Sequence, residues 1–312
     1  MHFILLIIGF ILLIKSADWF VEGSSNIAKL LGIPSLIVGL TIVAFGTSAP
    51  EAAVSINASI QNLNEISLGN VIGSNITNLL LVLGLASLFG NLTAKKKVIT
   101  RDFKYLILSS IVLLLLTFAF YVSNKDEGLI TKINGLMMLC FLGLYLYVLI
   151  EDAIKSINKK EEIKHFKFND IIMVIIGLFG IIMGGKLVVN NATIIANLFN
   201  VSDNVIALTI VAIGTSLPEI VTSIVAIKKG ESDIAIGNVV GSNIFNVFFV
   251  LGISSTISPI TFGIESFIDV IVMFIASIIV YLMILKNKHI DKKRGMILIL
   301  LYILYMIYIL FK

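Results

Sequence analysis

The chain has 312 residues, of which 58% are hydrophobic and only 13% are charged, with a net charge of +4 at pH 7. A soluble domain needs a polar face on nearly every surface helix, and this composition cannot supply one, which excludes a soluble globular fold. Long runs of Leu, Ile, Val and Phe also argue against a membrane β-barrel, whose strands would read as short alternating segments.

In chain order, apolar stretches of about 20 residues predict ten transmembrane helices, since that length spans the hydrocarbon core of a bilayer. Short polar joints separate these stretches, and a longer joint rich in Lys and Glu follows the fifth. The predicted spans lie near residues 3–28, 35–60, 66–89, 103–122, 129–150, 170–196, 203–227, 234–257, 264–285 and 296–311.

The Lys and Arg residues are distributed unevenly over the joints. If the N-terminus lies outside the cell, 18 of the 23 basic residues fall on the cytoplasmic side, most of them in clusters at 95–104, 155–167 and 286–294. Cytoplasmic joints of membrane proteins carry an excess of basic residues. We therefore predict a multi-pass protein of the plasma membrane with both termini extracellular.

The second half of the chain repeats the first. A shift of 168 residues aligns 40–84 with 208–252, and 25 of these 45 positions are identical. Each unit holds five predicted spans, and an odd number inverts the second copy in the membrane. The predicted fold is an all-α integral membrane protein of ten transmembrane helices in two inverted five-helix repeats, 1–150 and 170–312, joined by a cytosolic linker at 151–169. Inverted repeats are typical of secondary transporters, although a pseudo-symmetric channel would share them.

Two motifs are repeated with high fidelity inside these spans. GTSAPE at 46–51 is matched by GTSLPE at 214–219, and GNVIGSNITN at 69–78 is matched by GNVVGSNIFN at 237–246. Pro50 and Pro218 each remove a backbone donor and disturb the preceding turn, which predicts broken core helices. A cation can then bind the carbonyl oxygens that lose their partners. We expect these freed carbonyls at Ala44, Thr47, Ala212 and Thr215.

Glu51 and Glu219 determine the charge of the expected ligand. A charged carboxylate at mid-membrane costs roughly 3 kcal/mol or more, and no Lys or Arg lies at a matching depth in these core spans. Two carboxylates among hydroxyl, amide and carbonyl oxygens suit a hard cation, namely Ca²⁺, Mg²⁺ or Na⁺. The alternative is a pair of protonated glutamates that only pack helices, but their matched positions in both repeats favour the cation site.

These motifs resemble those of the prokaryotic sodium/calcium exchangers of the cation/Ca²⁺ exchanger superfamily, and the resemblance covers the whole chain. It implies that Glu51 and Glu219 bind both Ca²⁺ and Na⁺, with Asn78 near the centre. It also implies flanking ligands for Na⁺ at Ala44, Thr47, Ser48, Ser74, Ala212, Thr215, Ser216 and Ser242. Some exchangers of this type carry Asp where this chain has Asn246, so the centre here would hold two acids rather than three.

The leading interpretation is a secondary antiporter, not an enzyme, that exchanges Na⁺ for Ca²⁺ by alternating access. A Ca²⁺/H⁺ antiporter of the same superfamily is the nearest alternative, although the serine hydroxyls favour Na⁺ because a proton needs no oxygen cage. The near-identical repeats disfavour an intramembrane hydrolase, and paired anionic sites bind too tightly for a passive channel. The expected partners are Na⁺ and Ca²⁺ as substrates and the lipid bilayer; we expect no cofactor, nucleic acid or obligatory protein partner.

Overall fold

A computed structural model describes residues 1–122, 128–156, 168–199 and 212–311 of the chain. These residues form helices joined by short polar turns and by two pairs of short strands. The first half comprises α1 (His2–Leu30), α2 (Ser35–Thr47), α3 (Ala49–Ile60), α4 (Glu65–Phe89), β1 (Leu92–Thr93), α5 (Phe103–Val122), β2 (Gly128–Ile130) and α6 (Lys132–Ser156). The second half comprises α7 (Phe168–Leu198), α8 (Ala212–Thr215), α9 (Leu217–Lys228), α10 (Ser232–Ile257), β3 (Ile260–Phe262), α11 (Ile264–Asn287), β4 (His289–Ile290) and α12 (Lys292–Phe311).

Within the described ranges, seven helices are long and apolar enough to cross a membrane: α1, α4, α6, α7, α10, α11 and α12. Together α2 and α3 are an eighth candidate, because they form one apolar stretch bent by 48°. A helical, multi-pass membrane protein is thereby confirmed. The number of ten spans stays a prediction, since the predicted span at 203–227 begins outside the described residues. The predicted linker at 151–169 also lies mostly outside them, and its residues 151–156 continue α6 instead.

Helices α4 and α10 form the centre of the bundle. Of the residues in their most apolar stretches, 78% and 94% are buried, against 17–33% in the other five spanning helices of the described chain. Both central helices carry the second repeated motif, at 69–78 and 237–246. The Ser and Asn side chains of this motif therefore lie in the interior of the protein.

The break predicted at each proline is present. Pro50 is the second residue of α3 and Pro218 the second residue of α9, and a single residue, Ser48 or Ser216, separates each helix from the one before it. Proline is well tolerated there because the N–H groups of a first helical turn have no intrahelical partner. π-Helical segments also interrupt the core helices at Gly39–Val43, Thr77–Val82 and Asn246–Leu251. Such segments are rare and occur frequently at functional sites.

Helices α1 and α7 pack antiparallel with their backbones close together. A Cβ atom at Gly177 would lie 2.7 Å from Phe20 N, and one at Gly9 would lie 3.1 Å from Val188 N. Helices gain little hydrophobic energy by associating in lipid, so close backbone packing through glycines provides the contact energy instead. These two contacts are equivalent in the two repeats, because Gly177 lies 168 positions after Gly9 and Val188 lies 168 positions after Phe20.

One end of the bundle is rich in ion pairs. Lys29 Nζ lies 3.3 Å from Glu231 Oε1, and Lys95 pairs with Asp233. The antiparallel pair of β1 and β4 closes the same end. The joints after α1, α4, α9 and α11 therefore share the face that the sequence predicts to be cytoplasmic. Helix α1 begins, and α12 ends, one helix length away at the opposite face.

Candidate cation site

The two predicted glutamates lie in the first turns of matched helices. Glu51 is the third residue of α3 and Glu219 is the third residue of α9, and neither side chain is accessible to solvent. The N-terminal end of a helix carries a partial positive charge, which stabilises a carboxylate in the first turn. This dipole offsets only part of the cost of holding a carboxylate inside the membrane.

Oxygen atoms from α2, from α10 and from the break at Ser48 lie around the Glu219 carboxylate. Its Oε1 accepts a hydrogen bond from the Ser48 hydroxyl at 3.3 Å and one from the Ser242 hydroxyl at 3.4 Å. Ser242 Oγ also lies 3.3 Å from Ala44 O and 3.4 Å from Thr47 Oγ1. Carboxylate, hydroxyl and carbonyl oxygens therefore come within reach of one ion.

Within the described residues, the Glu51 carboxylate is left without the hydrogen bonds that the Glu219 carboxylate receives. Neither carboxylate oxygen of Glu51 has a hydrogen-bond partner among the described residues, although the hydroxyls of Ser74 and Thr215 approach it. Ser216 Oγ is also buried without a partner in that part of the chain. Burying a carboxylate without partners is costly, and native proteins rarely leave such groups unsatisfied. This cluster therefore fits a bound cation better than a closed hydrogen-bond network.

Asn78 and Asn246 lie one helical turn after Ser74 and Ser242, on the same faces of α4 and α10. Both side chains are fully buried. Within the described residues Asn78 has no hydrogen-bond partner, whereas Asn246 Nδ2 donates to Asn75 Oδ1 at 3.1 Å and its Oδ1 has none. Two buried amide oxygens thus remain available to an ion in the interior.

Two further asparagines, which the sequence analysis did not single out, fix the backbone at the glutamates. Asn70 Nδ2 donates to Glu51 O at 3.2 Å, and Asn238 Nδ2 donates to Glu219 O at 3.4 Å. These bonds tie the first turns of α3 and α9 to the central helices α4 and α10. The signal that could have found them is their identity in the two repeated motifs.

A second pair of asparagines joins the two central helices to each other. Asn75 Nδ2 donates to Asn243 O at 3.3 Å, and Asn243 Nδ2 donates to Asn75 O at 3.4 Å. The two residues are 168 positions apart and exchange equivalent hydrogen bonds. These two hydrogen bonds therefore join α4 to α10 at a point between the matched Ser and Asn positions of each motif.

One expectation about the backbone is wrong. Ala44 O is not freed by the break, because it still accepts the Ser48 N–H at 3.0 Å. The physical reason is that Pro50 removes only its own donor, whose helical partner would be Gly46 O rather than Ala44 O. Ala44 O keeps a second lone pair, which lies near the Ser242 hydroxyl. The side chain of Ala212 lies outside the described part of the chain.

A cavity of about 380 Å³ leads to the site from the face opposite the ion pairs. Its lining includes Asn57, Asn190 and Thr215, and Thr215 is partly exposed. The matched residue Thr47 is fully buried. The site is thus approached from one face of the bundle and covered toward the other.

The arrangement can bind and release a hard cation. When ionised, the two buried carboxylates supply two negative charges, and the side chains around them offer neutral oxygen ligands. Oxygen-only ligands of this kind suit Ca²⁺ and Na⁺, and one Ca²⁺ balances both carboxylates. A carrier that works by alternating access opens its site to one side of the membrane at a time, and access from one face meets that requirement.

Comparisons with known proteins give consistent matches. The family profile described as "Sodium/calcium exchanger protein" matches residues 1–151 and 169–311. The chain is 38% identical to the putative antiporter CaxA of Alkalimonas amylolytica, over 99% of this chain and 98% of that protein. It is 34% identical to the sodium/calcium exchanger MaX1 of Methanosarcina acetivorans, over 98% and 97% of the two chains. A solved structure of the sodium-calcium exchanger NCX_Mj is similar with a TM-score of 0.84 and 31% identity, over 99% of this chain and 98% of that one.

Proposed function

We propose that this chain, which belongs to the sodium/calcium exchanger protein family, is a secondary antiporter that exchanges Na⁺ for Ca²⁺ across the plasma membrane. The observation that carries this proposal is the pair of Glu51 and Glu219, fully buried inside the membrane among neutral oxygen donors. A divalent hard cation is the ligand whose charge this pair neutralises. Transport, rather than chemistry on a substrate, follows from the family.

The proposed coupling rests on shared ligands. Glu51 and Glu219 bind Ca²⁺ together, and each also belongs to a cluster of oxygens that binds Na⁺. Occupation by Na⁺ therefore competes with Ca²⁺ for the same carboxylates, so loading one ion expels the other. The Na⁺ ligands are assigned to Ala44, Thr47, Ser48 and Ser242 around Glu219 and to Ser74, Ala212, Thr215 and Ser216 around Glu51, with Asn78 and Asn246 at the centre.

The proposed architecture is ten spans in two inverted repeats, 1–150 and 170–312. Reciprocal contacts support it, since Gly9 faces Val188 as Gly177 faces Phe20, and Asn75 and Asn243 exchange equivalent bonds. The excess of basic residues supports assigning the face with the ion pairs to the cytoplasm and both termini to the outside. On that orientation, the cavity beside Thr215 opens outward.

Uptake of radioactive Ca²⁺ into proteoliposomes distinguishes Na⁺ coupling from H⁺ coupling. Vesicles loaded with Na⁺ and diluted into Na⁺-free buffer should accumulate Ca²⁺, whereas vesicles loaded with K⁺ should not. The serine hydroxyls around Glu219 support Na⁺ as the driving ion, because a proton carried by a carboxylate needs no such cage. Uptake that follows a pH gradient and ignores Na⁺ would instead establish the Ca²⁺/H⁺ antiporter.

Labelling of matched cysteines tests the one-sided access. In a Cys140→Ser background, Thr215→Cys should react with a membrane-impermeant thiol reagent added outside, since Thr215 lines the open cavity. Thr47→Cys should react at least ~10-fold more slowly from that side, because Thr47 is fully buried. The measurement is the rate of modification in right-side-out vesicles. Equal rates at the two positions would contradict the assignment of an outward-open state.

A further inference from the structure

A second groove takes no part in the proposed exchange. It runs between α1, the end of α4 and α9, close to the face that holds the ion pairs, and its volume is about 510 Å³. Most of its lining is apolar, and no proposed ion ligand contributes to it. The apolar residues are Phe10, Ile14, Phe89, Val221, Ile224 and Val225.

The apolar wall of this groove is exposed on the outer surface of the bundle. Ile14 and Phe89 are each 50% exposed, and Phe10 is 40% exposed. All three belong to helices that qualify as membrane spans. An apolar surface at this position faces acyl chains rather than water, so a lipid chain is the natural occupant.

Three lysines line the groove, and within the described ranges only one of them is held by acidic side chains. Neither Lys15 nor Lys228 forms an ion pair with any residue in the described ranges, whereas Lys229 is held by Asp18 at 3.0 Å and by Glu22 at 2.8 Å. Lys228 Nζ lies 4.7 Å from the centre of the Phe89 ring, which keeps the ammonium beside the groove. An exposed cation in this position attracts an anion from its surroundings.

The position of Lys15 along α1 determines which anion its ammonium group can meet. Lys15 lies about one helical turn deeper in α1 than Asp18, which is paired to the end of α9. Its ammonium must therefore extend along the helix to reach the level of the lipid headgroups. Lys15 on α1 and Lys228 on α9 line the same groove.

We propose that this groove binds an anionic phospholipid of the cytoplasmic leaflet, with an acyl chain along the apolar wall and the phosphate between Lys15 and Lys228. An acyl chain gains little by leaving the bilayer for an equally apolar groove, so selectivity comes from the headgroup. Anionic lipids are concentrated in the cytoplasmic leaflet and attract basic side chains at its surface. The lipid class is thus set by Lys15 and Lys228.

The single tryptophan of the chain reports on this site. Trp19 follows Lys15 by one helical turn and is 45% exposed. Brominated phosphatidylglycerol, which quenches nearby tryptophan, should therefore quench Trp19 more strongly than brominated phosphatidylcholine at the same fraction of lipid. We expect Lys228→Gln to reduce the preference for phosphatidylglycerol by about fivefold, the effect of one basic residue at an anionic membrane surface.

Matched variants distinguish lipid binding at this groove from a general attraction of anionic lipids to the basic surface of the protein. Lys228→Arg keeps the charge and should keep the preference, and Lys15→Gln should lower it as Lys228→Gln does. Lys104→Gln removes an exposed lysine on α5, outside the groove, and should leave it unchanged. Retained Ca²⁺ uptake shows that each variant is folded.

Three results would overturn the proposal. The first is equal quenching of the wild-type protein by the two brominated lipids. The second is an equal loss of preference in Lys104→Gln and Lys228→Gln, which would reduce the effect to surface charge. The third is loss of the preference on addition of inorganic phosphate, which would assign the lysine pair to a free anion rather than to a lipid.

Discussion

Ca²⁺ uptake is expected to fall by at least ~100-fold when either Glu51 or Glu219 is replaced by Gln. Removing one member of a buried, charge-balanced set costs about 3–5 kcal/mol, because the remaining charge is left uncompensated in a medium of low polarity. Each 1.4 kcal/mol is a factor of ten in an equilibrium constant. Initial rates of radioactive Ca²⁺ uptake into Na⁺-loaded proteoliposomes measure the effect.

Controls for these variants use the same chemical change elsewhere. Glu65→Gln alters an exposed glutamate at the start of α4 and should leave uptake within twofold of the wild-type rate. Glu51→Asp and Glu219→Asp keep the charge but shorten the side chain, and both should retain intermediate activity. Uptake above half the wild-type rate in Glu51→Gln or Glu219→Gln would refute the assignment of these carboxylates as Ca²⁺ ligands.

Two adjacent glycines of α7 are expected to respond oppositely to Ala. A Cβ atom at Gly184 would lie 2.8 Å from the backbone N of Leu13, whereas one at Gly185 would lie 3.9 Å from its nearest neighbour, Leu13 Cδ1. Gly184→Ala should destabilise the protein by about 1–3 kcal/mol through overpacking of α1 against α7. Gly185→Ala should be neutral, or stabilising by up to ~1 kcal/mol, because Ala favours a helix more than Gly does.

The melting temperature of the detergent-solubilised protein checks this pair. The two variants differ from the wild type by the same methyl group at neighbouring positions, so each is the control of the other. A lower melting temperature for Gly184→Ala alone is the expected outcome. Equal melting temperatures would mean that α1 and α7 are not held at the short distance described here.

Local backbone chemistry made the central features of the site predictable. A proline inside an apolar span removes a backbone donor and disfavours a continuous helix through it, so the breaks at Ser48 and Ser216, just before Pro50 and Pro218, follow from the sequence. Burial of the glutamates followed from their position in stretches too apolar to face water. By contrast, the partner of a particular carbonyl oxygen depends on helix geometry, and the expectation for Ala44 failed for that reason.

Contacts between distant segments could not be predicted from the sequence. The bonds from Asn70 and Asn238 to the glutamate carbonyls, and the exchange between Asn75 and Asn243, join different helices. A sequence motif records that these asparagines occur together but not where their side chains bond. The π-helical segments in α2, α4 and α10 were likewise not apparent, because no residue type specifies that turn.

The sequence by itself determined that the protein is helical and membrane-embedded, that its halves are related, and that two acids occupy matched positions in an apolar core. Composition and identity between repeats suffice for these conclusions, because each depends on residue type alone. Only the tertiary structure distinguished Thr215, beside an open cavity, from Thr47, which is fully buried. The two threonines lie in the same Gly-Thr-Ser-x-Pro-Glu motif, so what separates them is the packing of other helices around each copy of it.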